Sequence, residues 1–182
     1  MLRGRAIVKQ GFRALFTKGP QEANESCGFF APGNGVSFRP MTTADLERVM
    51  AIEKSSFAYP WSPRFFLQEL KVQCARSFLA EIDGRIVGYV LFWLLPGEAD
   101  VHNLAVHREF RRQGIGRLLL QQVVSEARRC SSSRVTLEVR HSNVAAQKLY
   151  ESMGFVTTSI RKNYYSDDNE DALAMALELN RE

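Results

Sequence analysis

Apolar and polar positions divide the chain into an arm and a body. Residues 1–35 carry the breaker clusters Gly19-Pro20 and Pro32-Gly33-Asn34-Gly35. From Val36 the pattern alternates between strand and helix periods. Val36 to Arg39 reads as a short strand. Thr42 or Thr43 then caps a helix with Asp45 in its first turn and Leu46, Val49, Met50, Ile52 and Phe57 on its apolar face. Pro60-Trp61 breaks the chain, and Ser62-Pro63 opens a second helix with serine as cap and proline at the first helical position. Phe78 to Glu81 and Arg85 to Trp93 predict strands joined at Asp83-Gly84, a hairpin signal. After a turn at Pro96-Gly97, a strand from Ala99 to Val106 leads into Arg111-Arg112-Gln113-Gly114-Ile115-Gly116 and an amphipathic helix, Ile115 to Ala127. Val135 to Val139 is another strand. Ser142 is expected to cap a helix running to about Met153, stopped by Gly154. Phe155 to Ile160 and Ala172 to Leu179 finish as strands around a loop, Asn163 to Asp171.

Composition narrows the class. A length of 182 residues fits one globular domain, 36–180, with an appendage, 1–35. The net charge is +4, but residues 1–20 hold Arg3, Arg5, Lys9, Arg13 and Lys18 and no acid, so the rest of the chain sums to −1. The body is therefore no nucleic-acid binder by charge. The basic arm is expected to be flexible and dispensable; an organelle transit peptide or an early start are the alternatives. It lacks the long apolar core of an export signal. The longest apolar run, around Val87 to Leu95, is a strand rather than a membrane span. Cys27, Cys74 and Cys130 are odd in number and lack metal-ligand spacing, which fits a reducing compartment. His102, His107 and His141 are scattered, so no zinc site is expected; a minor polar role is left open for His102 and His141.

The strand, glycine loop and helix outline a phosphate cradle. Gly114 and Gly116 allow a tight turn and close approach, and the helix start offers N–H groups and a positive dipole end to an anion. The hexapeptide alone also fits a solvated basic turn. A nucleotide P-loop needs Gly-Lys-Ser/Thr, which is missing, and a dinucleotide fingerprint needs a third glycine where Leu119 stands. Two further polar residues stand out. Alternation puts Thr136 and Glu138 on the face opposite Val135, Leu137 and Val139; period alone leaves that face as solvent or cleft. Tyr150 lies near the end of its helix, where a tyrosine is ordinarily a core-rim residue.

Taken together, Asn103-Leu104-Ala105-Val106, the Arg111 to Gly116 loop, Leu137-Glu138-Val139-Arg140, and Asn143 with Leu149-Tyr150-Glu151-Ser152-Met153-Gly154-Phe155 resemble the GCN5-related N-acetyltransferases (GNAT). Pro60-Trp61-Ser62 and Arg161-Lys162-Asn163-Tyr164-Tyr165 resemble the RimI type, the bacterial ribosomal-protein alanine N-acetyltransferases. The resemblance spans Val36 to Leu179 and leaves residues 1–35 outside.

The resemblance implies an α/β (α+β) fold: a mixed, mostly antiparallel sheet splayed into a V-shaped cleft and flanked by about four helices. It implies acetyl-CoA as donor, with Leu104, Ala105 and Val106 pairing with the pantetheine arm. Arg112, Gln113, Gly114, Ile115, Gly116 and Arg117 would hold the diphosphate, and Asn143 would hydrogen-bond the cofactor. Glu138 becomes the general base and Tyr150 the acid that protonates the leaving thiolate. A base is needed because an α-amine has a pKa of about 7.7–8 and is largely protonated at neutral pH. Trp61, Tyr164 and Tyr165 are expected to line the peptide slot. The acids Asp167, Asp168, Glu170 and Asp171 are expected to form a solvated loop or, alternatively, to meet a basic peptide. The implied acceptor is a protein N-terminus, the N-terminal alanine of a small-subunit ribosomal protein, in the cytoplasm or, if the arm is a transit peptide, an organelle interior. A relaxed lysine or small-amine acetyltransferase and a non-catalytic acetyl-CoA-binding module are the alternatives.

Overall fold

The computed structural model describes residues 35–179, so the arm expected over 1–35 lies, but for Gly35, outside the described residues. Strand β1 (Val36–Pro40) pairs antiparallel with β2 (Ala75–Ile82), β2 with β3 (Arg85–Leu95), and β3 with β4 (Glu98–Val106). Between β1 and β2 lie α1 (Leu46–Ser56) and α2 (Pro63–Glu69). Helix α3 (Ile115–Arg129) connects β4 to β5 (Arg134–Arg140), and this crossover makes β4 and β5 parallel. Helix α4 (Val144–Glu151) precedes β6 (Val156–Tyr165) and β7 (Glu170–Glu178). β7 inserts between β5 and β6, giving one seven-stranded sheet in the order β1-β2-β3-β4-β5-β7-β6. The mixed, mostly antiparallel sheet with four helices is the expected fold.

Local signals explain most element ends. Ser62 accepts a hydrogen bond from Phe65 N at 3.3 Å and caps α2, with Pro63 at its start. Asp83 and Gly84 turn β2 into β3 with φ of 48° and 74°. Gly154 stops the α4 segment with φ of 91°, a left-handed conformation that glycine adopts without a Cβ penalty. Several boundaries differ from expectation; β7, for one, starts at Glu170 rather than Ala172. The cap of α4 is Asn143, whose Oδ1 accepts from Ala146 N at 3.1 Å, rather than Ser142, whose own N–H donates to Glu170. β6 continues through Tyr165, so Asn163 to Tyr165 are strand and not loop.

The sheet separates two cores. On one face α3 buries Ile115, Leu119, Leu120 and Val123 against Val87, Val90, Val135, Leu137 and Val139. On the other, α1 and α2 bury Val49, Ile52 and Phe66 against Leu79, Tyr89, Leu91 and Ala105. Each fully buried large apolar side chain contributes about 1.5–3 kcal/mol. A bulge in β4 switches faces: Phe92 pairs with Val101 and Leu91 with Asn103, leaving His102 as the extra residue. Val101 therefore packs on the α3 side and Ala105 on the α1 side, while Leu104 and Val106 return to the α3 core. Among the described residues, no helix is long and apolar enough to cross a membrane.

Candidate active site

β4 and β5 part company just after the bulge. Their parallel register runs from Glu98↔Arg134 to Val101↔Leu137 and ends there. Beyond it, Leu104, Ala105 and Val106 pair with Val90, Tyr89 and Gly88 of β3 on one side only. Glu138, Val139 and Arg140 pair only with Ala174, Leu173 and Ala172 of β7. Two strand edges thus face each other across a V, and their backbone groups need partners from water or an extended ligand. The Val106 carbonyl already accepts from Arg111 Nε at 2.9 Å, and the same guanidinium reaches Ser56 Oγ at 3.0 Å. Arg111 is thereby a strap between the loop and α1.

The glycine loop is shaped by its backbone. Arg112 (φ 65°) and Gly114 (φ 83°) are both left-handed, one on each side of Gln113, before α3 begins at Ile115. Such alternation turns successive N–H groups into an anion-binding concavity at a positive helix end. A Cβ on Gly114 would meet nothing within 4 Å, so its glycine answers to conformation rather than to space. Gly116 is different: a Cβ there would lie 3.1 Å from Leu149 Cδ2, so this glycine lets α3 sit close to α4. Arg117 is engaged by the Ser152 carbonyl and hydroxyl at 3.3 and 2.7 Å and ties the two helices together. Asn143 uses its Oδ1 as the α4 cap. Its amide NH2 is the group that remains to offer a ligand.

Glu138 occupies the face of β5 away from the α3 core, with its side chain 15% exposed. Arg161 NH2 lies 3.0 Å from Glu138 Oε1. The pair spans β7, whose intervening residues are the small Ala172 and Ala174. Tyr164 packs edge-on against Tyr165 at 5.2 Å and carries Arg161 over its ring at 5.5 Å. Burial, and then the nearby Glu138 carboxylate, push the Tyr164 phenol up. Tyr165 lies under Arg140 at 3.9 Å; burial pushes its phenol up, and Glu138 and Tyr150 are both among its electrostatic neighbours.

Tyr150 belongs to the other face. It is 8% exposed, packs on Phe155 at 5.9 Å, and burial pushes its phenol up to about 12. At neutral pH it is a full proton donor. The structure therefore brings Glu138, Tyr164 and Tyr165 together, with Tyr150 an electrostatic neighbour of Tyr165 from the α3 side of the sheet.

The acidic hairpin between β6 and β7 is exposed at Asp167 and Asp168, yet its carboxylates already have cationic partners within the chain. Asp167, Asp168 and Glu170 all close on Arg140, at 2.7, 2.8 and 2.8 Å, and Lys162 takes Asp171 at 2.6 Å. Arg140 also faces the ring of Tyr59 at 5.8 Å. The α1–α2 loop and the hairpin thus meet above the face that carries Glu138. Trp61 is half-buried in that loop, and its ring rests on Phe65 and Phe66 at 4.7 and 5.6 Å. It sits on the α2 side, whereas the two tyrosines sit on the β6 side. His102 stacks on Trp93 at 4.4 Å and lies 3.6 Å from Asp100. Burial pushes the Cys74 thiol up, the opposite of an activated nucleophile. Among the described residues, no cluster of three His, Cys, Asp or Glu suits a metal.

Sequence reasoning left several of these side chains without a role. Arg140 and Arg161 lay within quoted motifs, but their partners are distant in the chain. Tyr59 carried no signal. Glu53 did: it falls at the same helical stripe as Leu46, Val49 and Met50, and a charged residue on an apolar stripe marks a buried polar contact.

Residues 46–155 match the family model described as the acetyltransferase (GNAT) family. The ribosomal protein bS18-alanine N-acetyltransferase of Escherichia coli is 37% identical over 139 residues, which is 75% of this chain and 93% of that one. Its counterpart from Haemophilus ducreyi is 36% identical over 138 residues, 74% of this chain and 94% of that one. The crystal structure of the ribosomal-protein-S18-alanine N-acetyltransferase from Escherichia coli superposes with a TM-score of 0.74 at 34% identity, covering 81% of this chain and 96% of that one. Ard1 from Thermoplasma volcanium superposes at 0.75 with 27% identity, covering 81% and 99%. With the family model spanning the splayed strands, the glycine loop and α4, the chain belongs to the GNAT family of acetyltransferases.

Proposed function

We propose that this acetyltransferase carries the acetyl group of acetyl-CoA to the α-amine of a protein N-terminus, and that its acceptor is the N-terminal alanine of ribosomal protein bS18. The acceptor follows the relatives named for that substrate, which match this chain over nearly their whole length. The observation that carries the chemistry is the open V between β4 and β5, with Glu138 on one face and Tyr150 on the other.

The residues present fit the donor. The unpaired edge at Leu104 to Val106 suits the amides of a pantetheine arm, and one of its N–H groups would polarise the thioester carbonyl. The loop from Arg112 to Arg117 suits the diphosphate, chiefly through backbone N–H groups, with the Asn143 amide beside it. Acetyl-CoA supplies an electrophilic carbonyl carbon and a thiolate leaving group. Glu138, oriented by Arg161, takes the proton from the acceptor ammonium, directly or through a water. As the C–N bond forms and the C–S bond breaks, Tyr150 gives its proton to the departing sulfur, and the second proton, shed by the acylated nitrogen, restores the phenol directly or through water. Trp61, Tyr164 and Tyr165 hold the first residues of the peptide, and the Arg140-bound hairpin fixes the tyrosines. The compartment is then that of ribosome assembly, the cytoplasm or an organelle interior.

Thiol release from acetyl-CoA tests the reading. Peptides beginning with free alanine are compared with the same peptides blocked at the α-amine but carrying lysine. Release only from the free alanine end supports it. Release from blocked peptides moves the acceptor to lysine, and binding of acetyl-CoA without release from either overturns the assignment.

A further inference from the structure

We infer that Glu53 is a positioning residue for the acceptor, pinning the α1–α2 loop at Trp61 and, through Asn103, the place on β4 where the V opens. The inference rests on reading that loop as one wall of the peptide slot. Glu53 lies in α1 with 0% exposure, on the helix that buries Val49 and Ile52 in the same core. Its Oε1 accepts from the Trp61 backbone N–H at 2.7 Å. Its Oε2 accepts from the Tyr89 hydroxyl and from Asn103 Nδ2, the latter at 3.3 Å. One carboxylate therefore joins α1, the loop, β3 and β4.

The two ends of this connection are the places where the site needs rigidity. Asn103 immediately follows the His102 bulge and precedes the edge from Leu104 to Val106. The last β4–β5 pair is at Val101, so Glu53 anchors β4 at the origin of the V. At the other end, Trp61 directly precedes the Ser62 cap of α2. The loop residue two positions earlier, Tyr59, faces Arg140, which in turn covers Tyr165. Letting go of Trp61 N–H frees the loop at its α2 end and with it the Tyr59 contact.

An acid is a poor choice if packing were the whole purpose. Burial pushes the Glu53 carboxyl up, and only the bonds from Tyr89, Trp61 and Asn103 pull it back. An ionised Glu53 thus reduces the stability of the fold, and an apolar residue of similar volume would fill the space at least as well. What an apolar residue cannot do is accept three donors from three separate segments.

Three variants of the full chain separate the roles. Glu53→Ala is expected to raise the KM for an alanine-ended peptide at least about tenfold, the loss of a hydrogen bond to a charged group, while acetyl-CoA Kd weakens by less, because the edge that follows Asn103 is also held by its pairing with β3. Glu53→Gln should recover most of this, because its amide oxygen still accepts from Trp61 N–H and its NH2 can donate to Tyr89 and a turned Asn103. Glu53→Leu should melt at or above the wild-type temperature yet keep the raised peptide KM. Amide exchange at Trp61, followed by NMR, should quicken in Glu53→Ala and Glu53→Leu but not in Glu53→Gln. If Glu53→Leu restores peptide KM along with stability, Glu53 is core filling and the inference is overturned. It is also overturned if Glu53→Gln fails as badly as Glu53→Ala. Should the wild type transfer nothing to alanine peptides, the functional reading falls separately, and Trp61 exchange unchanged in Glu53→Ala still refutes the pin.

Discussion

The two walls of the V are made of different material. On the side proposed to hold the donor, the groups on offer are backbone: the edge from Leu104 to Val106 and the left-handed pair Arg112 and Gly114. On the acceptor side they are side chains held by other side chains: Glu138 by Arg161, Tyr165 by Arg140, and Arg140 by three carboxylates of the hairpin. A backbone site is changed through conformation, and a side-chain site through the loss of one partner. The contrast teaches that the two halves of the reaction should fail separately, one in acetyl-CoA affinity and the other in transfer or peptide binding.

The largest effect is expected at Glu138. Glu138→Gln keeps the shape and removes the proton acceptor, so kcat should fall by about 10²–10⁴, the usual worth of general-base catalysis. Acetyl-CoA Kd from calorimetry should stay within about twofold. A parallel loss of affinity would mean that the acceptor wall also shapes the donor wall, and the division would break. Tyr150→Phe should come next, with kcat down on the order of 10² and an unchanged melting temperature, since only a hydroxyl is removed from a buried ring.

Gly114 probes the opposite wall. A valine at φ 83° is strained by about 1–2 kcal/mol. If the strained loop is also the one that binds, acetyl-CoA Kd should weaken by roughly 5–30-fold, with peptide KM little changed. Gly114→Asn sharpens the test, because asparagine tolerates the left-handed region and should cost less. Equal weakening by both would point to the added side chain blocking the approach, and no weakening by either would dissolve the cradle.

The same contrast governs what could be read in the sequence. Ser62-Pro63, Asp83-Gly84 and Gly154 announce their structures because cap, turn and stop are local events. The strand, glycine loop and helix were legible for that reason, and the family resemblance supplied the donor role proposed for them. The acceptor wall was legible only in its parts. Asn163 to Tyr165 reads as loop beside the acidic run that follows, yet β6 continues through it and Tyr165 pairs with Glu170 of β7. Arg140 and its hairpin acids are 27 to 30 residues apart, so no window shows them as a unit. The bulge at His102 exists only in relation to β3. Ser142 and Asn143 are both good caps, and only the geometry of the Glu170 contact decides between them.

A cluster outside both walls provides the smallest effect on catalysis and a control for the rest. The Asp45 carboxylate accepts from Arg39 at 2.7 and 2.8 Å and from Thr42 N and Oγ1 at 2.8 Å each, fixing β1 to the start of α1. Chiefly through its hydrogen bonds with Arg39, this carboxyl is held well below the usual range. In the unfolded chain it titrates near about 3.9. On acidification the unfolded state takes the proton first, so the stabilisation is complete above that value and drains away as pH falls through it. Asp45→Asn should therefore lose about 1–2 kcal/mol at pH 7, the lower part of the range for charged hydrogen bonds because Arg39 is partly solvated. Denaturant titrations of wild type and variant should draw together progressively as pH falls below about 4, with kcat and both substrate affinities unchanged at neutral pH. A gap that persisted at low pH would assign the loss to packing. A change in acetyl-CoA or peptide affinity would show that the walls of the V are not insulated from β1, and the separate failures expected of Glu138 and Gly114 would need to be measured against that coupling.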